Sequence, residues 1–108
     1  MVFDNYKKLI RLLRKQCPPA YPVSVRRVKL RDKDGDCYRK DSRFFIRINK
    51  ELAENSCIDA LLHEWAHARA WNHRHDVLDC SEFEKAVHDA SWGVAYAEVY
   101  RVFEQNFS

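Results

Sequence analysis

One short segment limits the folds open to this chain, because it follows two helical patterns at once. Its apolar residues recur at the three- and four-residue spacing of an amphipathic helix. Histidines at positions 63 and 67 share that spacing, so a helix places both on one face. With Ser56 opening a capping box, the pattern predicts a helix from Ser56 to about Trp71. Its apolar stripe is Ile58, Leu61, Leu62, Trp65 and Ala66.

The polar residues of this helix point to metal chemistry. The segment reads His63-Glu64-Trp65-Ala66-His67, an H-E-x-x-H pattern. Two imidazoles one turn apart can reach one zinc ion and leave a position open for water. Glu64, next to the first histidine, is then placed to take a proton from that water. The motif therefore predicts a catalytic zinc site rather than an ordinary helix face.

Two histidines leave a third protein ligand to be found further along the chain. His73 has the spacing of H-E-x-x-H-x-x-G-x-x-H, although Ala70 stands where that pattern has glycine. His88 opens the last predicted helix, which can dock across the motif helix. The remaining options are His75, Glu82, Glu84 and Glu98.

At residues 44–101 the sequence resembles a known family, the small SprT-like zinc metallopeptidases of bacteria and phages. In that family a His-Gly-x-x-Trp segment follows the H-E-x-x-H helix, opens an amphipathic helix and supplies the third zinc ligand. His88 and Trp92 match this segment, with Asp89 in the glycine position. The tract 92–101 is also similar to the phage members, and the resemblance favours His88 over the other candidates.

The resemblance implies a zinc-dependent metallopeptidase, a hydrolase acting on protein or peptide substrates. Its zinc ligands would be His63, His67 and His88. Glu64 would act as general base on a zinc-activated water and pass the proton to the leaving amine. Asp59, one turn before the first ligand, and Asp89, beside the third, are candidates to orient the imidazoles.

The charges are unevenly distributed along the chain. Residues 1–50 contain 15 lysines and arginines against 5 carboxylates, whereas residues 51–108 contain 4 against 11. The resemblance implies DNA as a partner, and a basic N-terminal half agrees with it. Phosphate contacts are expected from Arg26, Arg27, Lys29 and Arg31. The alternative is that two oppositely charged faces attract each other within one small domain.

Two other classes of function remain open at this point. One is a DNA- or partner-binding module with a structural zinc, which would need four protein ligands and a cysteine such as Cys80 among them. The other is a metal-dependent nuclease. The motif glutamate favours a catalytic site over a structural one, because Glu64 has no role in a structural zinc site, whereas incubation with DNA, RNA and casein would separate the nuclease from the peptidase.

The remaining patterns predict a single α+β domain over residues 1–108, a minimal zincin-like fold. It combines an N-terminal helix, a small three-stranded sheet, the H-E-x-x-H helix and a C-terminal helix. We expect Asp4 or Asn5 to cap the first helix, a bulge or wet face at Arg26-Arg27, and a meander order of strands. The predicted helices are Phe3–Gln16, Ser81–Val87 and Asp89 to about Gln105, and the strands Val23–Leu30, Asp36–Lys40 and Arg43–Asn49.

The composition argues against a membrane-spanning or secreted protein and suggests a cellular compartment. No apolar run approaches the roughly 20 residues that a membrane helix needs. Met1–Lys15 lacks the apolar core of a secretory signal. The four cysteines form no CxxC pair, so we expect free thiols in a reducing cytoplasm.

Overall fold

The computed structural model describes residues 3–71 and 90–107. Over these residues the chain has the α+β composition predicted from its sequence, with three helices and a three-stranded sheet. The elements, in chain order, are α1 (Asp4–Gln16), β1 (Val23–Val28), β2 (Gly35–Lys40), β3 (Arg43–Asn49), α2 (Glu54–Arg69) and α3 (Ala90–Phe107).

Strand β3 forms the centre of the sheet because it is the most apolar of the three. Phe44, Ile46 and Ile48 alternate with more exposed neighbours and are at most 1% exposed. One face of the strand therefore packs against the helices. The strand order is β1-β3-β2, which leaves the more highly charged β1 and β2 at the edges, where their side chains reach water.

The predicted meander is wrong. β1 pairs with β3 in parallel, and β2 pairs with β3 antiparallel, so β3 lies between two strands that precede it in the chain. A tight turn after Lys40 reverses the chain into β3, and Asp41 in this turn has φ 56°. Aspartate tolerates this left-handed conformation. Alternation in a sequence indicates which side chains face the core, but it does not determine which strands pair.

The double arginine in β1 causes no bulge. β1 pairs residue for residue with β3 from Val23 to Val28. Arg27 is consequently in register with the buried Ile48, yet its guanidinium lies outside the core, 4.0 Å from the centre of the Phe3 ring. A long side chain on an edge strand can hold an inward register position while its charge stays in water.

Helix α1 is capped by a residue from a distant part of the chain. Neither Asp4 nor Asn5 provides the predicted side-chain cap. Instead, the Glu54 carboxylate accepts hydrogen bonds from the backbone N–H groups of Asn5 and Tyr6, at 3.1 and 3.2 Å. Glu54 is the first residue of α2. The contact satisfies two free donors of α1, places a negative charge at its positive end, and joins the two helices.

Helix α2 starts before the predicted capping box. It begins at Glu54 after Ala53, and no side chain caps it, so the box predicted at Ser56 is wrong. It ends at Arg69, close to the predicted end. Packed between the sheet on one side and α1 and α3 on the other, α2 is the most buried element. Its buried residues are Cys57, Ile58, Ala60, Leu61, Leu62, Glu64, Trp65, Ala66, His67 and Ala68.

Helix α3 packs on α2 through small and branched residues. Ala95, Val99 and Val102 are buried, whereas an aromatic row lies beside this face. In that row Trp92, Tyr96, Tyr100, Phe103 and Phe107 contact one another in turn. The predicted start at Asp89 and the predicted helix Ser81–Val87 lie outside the described residues. Within the described ranges, no helix combines the length and apolar character needed to cross a membrane.

Candidate metal centre

The two motif histidines converge on one point. His63 and His67 lie one turn apart on α2, and their Nε2 atoms are 3.0 Å apart. The ring centroids are 4.7 Å apart, and the rings cross at 76°. His67 is buried and His63 is half-buried. Helix α2 therefore directs both Nε2 atoms toward the same small volume.

This separation and these donors fit a zinc ion. Two nitrogen ligands about 2.0–2.1 Å from a tetrahedral ion lie about 3.3 Å from each other. A hydrogen bond between the two Nε2 atoms requires one to carry a proton and the other a lone pair. A metal needs the lone pair of both, so its binding displaces that proton. Neutral imidazole is also a nitrogen donor that zinc prefers.

Trp92 of α3 covers the two imidazoles. Its ring centroid lies 5.1 Å from that of His63 and 5.6 Å from that of His67. Tyr96, one turn further along α3, stacks on Trp92 at 5.0 Å with an interplanar angle of 20°. The aromatic cover limits the orientations open to both imidazoles and excludes water from one side of the centre.

Glu64 lies in a cleft between α2 and the start of β2. The residue is only 8% exposed, and with His63 it lines an open space of about 490 Å³. The carboxyl group and one motif histidine thus border the same space, as expected of a base that acts beside a metal. The other lining residues are Asp32, Lys33, Asp34, Gly35, Asp59 and Ala60.

The surroundings of Glu64 raise the pKa of its carboxyl group. Burial raises its pKa to about 8, the charge of Asp36 adds to this, and Lys33 opposes it. Desolvation disfavours the charged carboxylate, and a nearby negative charge does the same. A carboxyl group with a pKa near neutrality is matched to proton transfer at physiological pH.

Asp36, on β2, is itself fixed by two cations. Arg47 Nε donates to Asp36 Oδ1 at 2.8 Å, and Lys33 Nζ lies 2.7 Å from Oδ2. Burial acts to raise the pKa of Asp36, but the hydrogen bonds from Arg47 and Lys33 outweigh it and lower the pKa overall. Asp36 therefore stays charged at neutral pH and keeps its effect on Glu64.

The sequence analysis did not predict that the segment before β2 contributes to the site. Asp32-Lys33-Asp34-Gly35 carries a clear turn signal. That signal gives no indication that the turn lies against α2, since the approach follows from the position of β2 at the edge of the sheet. The site residues that were not predicted are Asp32, Lys33, Asp34, Gly35 and Ala60, which line the cleft, and Asp36, which acts on Glu64.

Most candidates for the third ligand lie outside the described residues. His88, the preferred candidate, lies outside them, as do His73, His75, Glu82 and Glu84. Glu98 is described, and its carboxylate lies 3.6 Å from Arg69 Nε. Within residues 3–71 and 90–107, no three His, Cys, Asp or Glu side chains are grouped to hold a metal. The pair His63 and His67 is what the structure brings together.

Asp59, the predicted orienting partner one turn before His63, lies beside the site. It is exposed and lines the cleft beside Glu64. It lies close enough to Tyr96 to affect that hydroxyl: burial raises the pKa of Tyr96, and the charges of Asp59 and Tyr100 add to the rise. Asp89, the other proposed partner, is outside the described residues.

The described cysteines are poor metal ligands. Cys17, Cys37 and Cys57 are buried free thiols, as predicted, and burial raises the pKa of each. Metal binding requires the thiolate, which burial disfavours. Cys80, the cysteine suggested for a structural zinc site, is not among the described residues.

The four predicted phosphate contacts are all exposed. Arg26, Arg27, Lys29 and Arg31 lie on β1 and the loop after it. Arg27 is partly engaged, because it lies over Phe3 and donates to the Lys50 carbonyl oxygen at 3.1 Å.

Comparisons with models of known protein families, with curated proteins and with solved structures find no significant match for this chain.

Proposed function

We propose that this chain is a zinc-dependent metallopeptidase with a zincin-like fold of the SprT type. One observation carries the proposal: the Nε2 atoms of His63 and His67 meet at 3.0 Å beside the buried carboxyl group of Glu64. A structural zinc site is closed by four protein ligands. Here Glu64 instead borders an open cleft of about 490 Å³, which supports a site that admits a substrate.

In this proposal His63 and His67 hold the metal, and His88 completes the ligand set. When bound, zinc supplies a Lewis acid that polarises the scissile carbonyl and makes water more acidic. Helix α2 contributes a rigid spacing between the two described ligands. Trp92, packed against both rings, keeps them in that orientation.

Glu64 has the proton-transfer role. It accepts a proton from the attacking water and delivers it to the nitrogen of the leaving amine. The raised pKa of Glu64 favours its protonated form, which supports the second half of this role, the delivery of the proton to the leaving amine. Lys33 and Asp36 shift that pKa in opposite directions, Asp36 upward and Lys33 downward.

Protein or peptide chains are the proposed substrates, and DNA is a proposed partner through the basic N-terminal half. The exposure of Arg26, Lys29 and Arg31 supports this second point. A reducing cytoplasm is the proposed compartment. Free thiols at Cys17, Cys37 and Cys57 agree with it.

The test combines metal content with cleavage. Purified protein loaded with zinc is incubated with casein, unfolded proteins and DNA-bound proteins, and in parallel with DNA and RNA alone. Glu64→Gln keeps the size of the side chain but cannot accept the proton. We expect it to retain zinc and to lose proteolysis at least about a hundredfold.

The matched control is Glu51→Gln, because Glu51 is exposed and lies outside the cleft. It should cut at the wild-type rate. Cleavage by Glu64→Gln at the wild-type rate would remove the general base from the proposal. Cleavage of DNA or RNA in place of protein would favour the nuclease, and zinc held with no hydrolysis of any substrate would favour a binding module.

A further inference from the structure

A second cleft lies at the end of the sheet where β1 and β3 begin. It has a volume of about 540 Å³ and shares no lining residue with the cleft beside Glu64. It is bordered by the end of α1, the loop before β1 and the first residue of β3. The lining residues are Arg14, Pro18, Pro19, Ala20, Tyr21, Pro22, Val23, Arg43 and Trp65.

Two arginines give this cleft a positive charge without a compensating carboxylate. Arg14 donates to the Val23 carbonyl oxygen at 2.9 Å, and Arg43 donates to Ser24 Oγ at 2.9 Å. Both guanidinium groups are thereby held in place, while most of their five N–H donors remain available. No acidic residue lines the cleft, and within the described residues neither arginine forms an ion pair. Fixed, uncompensated guanidinium groups match the oxygens of a phosphate.

The cleft is also lined by an exposed aromatic ring. Tyr21 is 40% exposed, and its ring packs on Phe44 at 5.8 Å between centroids. The Arg39 guanidinium lies 5.9 Å from the Tyr21 ring centre and adds a further cation at this end of the sheet. Three prolines flank Tyr21 and fix the backbone around it. An exposed ring on a rigid loop suits stacking by a planar group of a ligand.

We propose that this cleft binds a nucleotide, with its phosphate on Arg14 and Arg43 and its base stacked on Tyr21. The volume is in the range of small-molecule sites. The nucleotide can be a free mononucleotide or one unit of a single-stranded nucleic acid, since both present the same phosphate and base. The proposal does not depend on the peptidase activity, because the two clefts are separate.

The test is direct titration of the whole chain by calorimetry at low salt. The ligands are thymidine monophosphate, an oligothymidylate of about ten nucleotides, thymidine, phenyl phosphate and inorganic phosphate. We expect the nucleotide to bind more tightly than thymidine and more tightly than either simple phosphate. Binding of the monophosphate alone assigns the site to free nucleotides, whereas tighter binding of the oligonucleotide assigns it to a strand.

The variants locate the site. Arg14→Gln and Arg43→Gln should each weaken nucleotide binding about tenfold, as expected for a lost charged hydrogen bond. Tyr21→Ala should remove the preference for nucleotide over inorganic phosphate, and Tyr21→Phe should keep it. Arg31→Gln is the control, because it removes the same single positive charge at an exposed residue that lies after β1 and outside the cleft. It should change affinity less than twofold.

Three results would overturn the proposal. The first is wild-type affinity in Arg14→Gln and Arg43→Gln with unchanged circular dichroism. The second is equal affinity for phenyl phosphate and thymidine monophosphate, which would indicate a phosphorylated aromatic side chain. The third is dependence on Arg31 in place of Arg43, which would move the anion surface to β1 and its following loop.

Discussion

Gly35 lies against Glu64 with no room for a side chain between them. A Cβ atom placed on Gly35 would be 3.3 Å from Glu64 Cγ and 2.9 Å from the carbonyl oxygen of Arg47. Gly35 does not have a positive φ, so close approach and not backbone conformation explains the glycine. The first residue of an edge strand thereby forms the wall that buries the proposed general base.

Gly35→Ala should therefore destabilise the protein by about 1–3 kcal/mol, the usual cost of overpacking. The neighbour at 2.9 Å is backbone, which cannot move aside as a flexible side chain does. Chemical denaturation measures the loss. Gly93→Ala is the matched control: nothing lies within 4 Å of its added Cβ, and in a helix interior alanine should stabilise by about 0.5–1 kcal/mol. Equal effects of the two substitutions would contradict the close approach.

A second prediction concerns the cap that joins α1 to α2. Glu54→Ala removes the acceptor for the N–H groups of Asn5 and Tyr6 and should cost about 1 kcal/mol. Glu54→Gln keeps an acceptor and loses only the charge at the helix end, so it should cost less. Glu51→Ala, at an exposed residue just before α2, serves as the control in thermal unfolding. The cap has no role if Glu54→Ala melts like that control.

These two contacts show where sequence reasoning reached its limit. The bounds of β3 and nearly all of α1 follow from local periodicity, and the structure agrees with them. The cap of α1 does not follow from local periodicity, because the capping residue Glu54 is 48 residues from Tyr6 in the chain. The predicted order of the strands was also wrong, because only the three-dimensional pairing places β3 between β1 and β2.

Part of the candidate site could likewise be predicted from local sequence, and part could not. One helical turn brings His63 and His67 together, so their spacing was enough to predict their meeting. Gly35 and Asp36 reach Glu64 through sheet pairing, and no local pattern carries that information. Residues on one element are accessible to a sequence argument, whereas residues contributed by an edge strand require the fold.

The third prediction uses the raised pKa of Glu64 in metal-free protein. The native pKa is about 8, against 4.5 for the unperturbed group, so between these pH values the native state holds more protons than the unfolded state. The free energy of unfolding should then fall as pH rises from about 4.5 to about 8. Glu64→Gln does not titrate and should gain stability over wild type across this range, by on the order of a few kcal/mol.

Denaturation at pH 5 and pH 8, with a chelator present, measures this difference. Glu51→Gln is the control, because Glu51 is exposed and its stability relative to wild type should not change between the two pH values. A constant difference between Glu64→Gln and wild type would mean that Glu64 titrates normally and that its burial does not determine its acidity.

The last prediction concerns zinc and its ligands. A metal that binds only the native state raises stability, by about 2.7 kcal/mol at a free concentration one hundred times the dissociation constant. Wild-type protein should therefore melt at a higher temperature with zinc than with a chelator. His63→Ala and His67→Ala should each lose this difference, because each breaks the converging pair and leaves the proposed site with two of its three ligands.

The third ligand is decided by the same measurement on His88→Ala, His73→Ala and His75→Ala. The variant that loses the zinc-dependent shift along with His63→Ala identifies the ligand, and we expect it to be His88. Metal analysis after gel filtration must agree, because a ligand variant should lose bound zinc as well as the shift. A full shift in both His63→Ala and His67→Ala would contradict the metal centre itself, since the 3.0 Å contact would then be a hydrogen bond between two histidines with no ion to share.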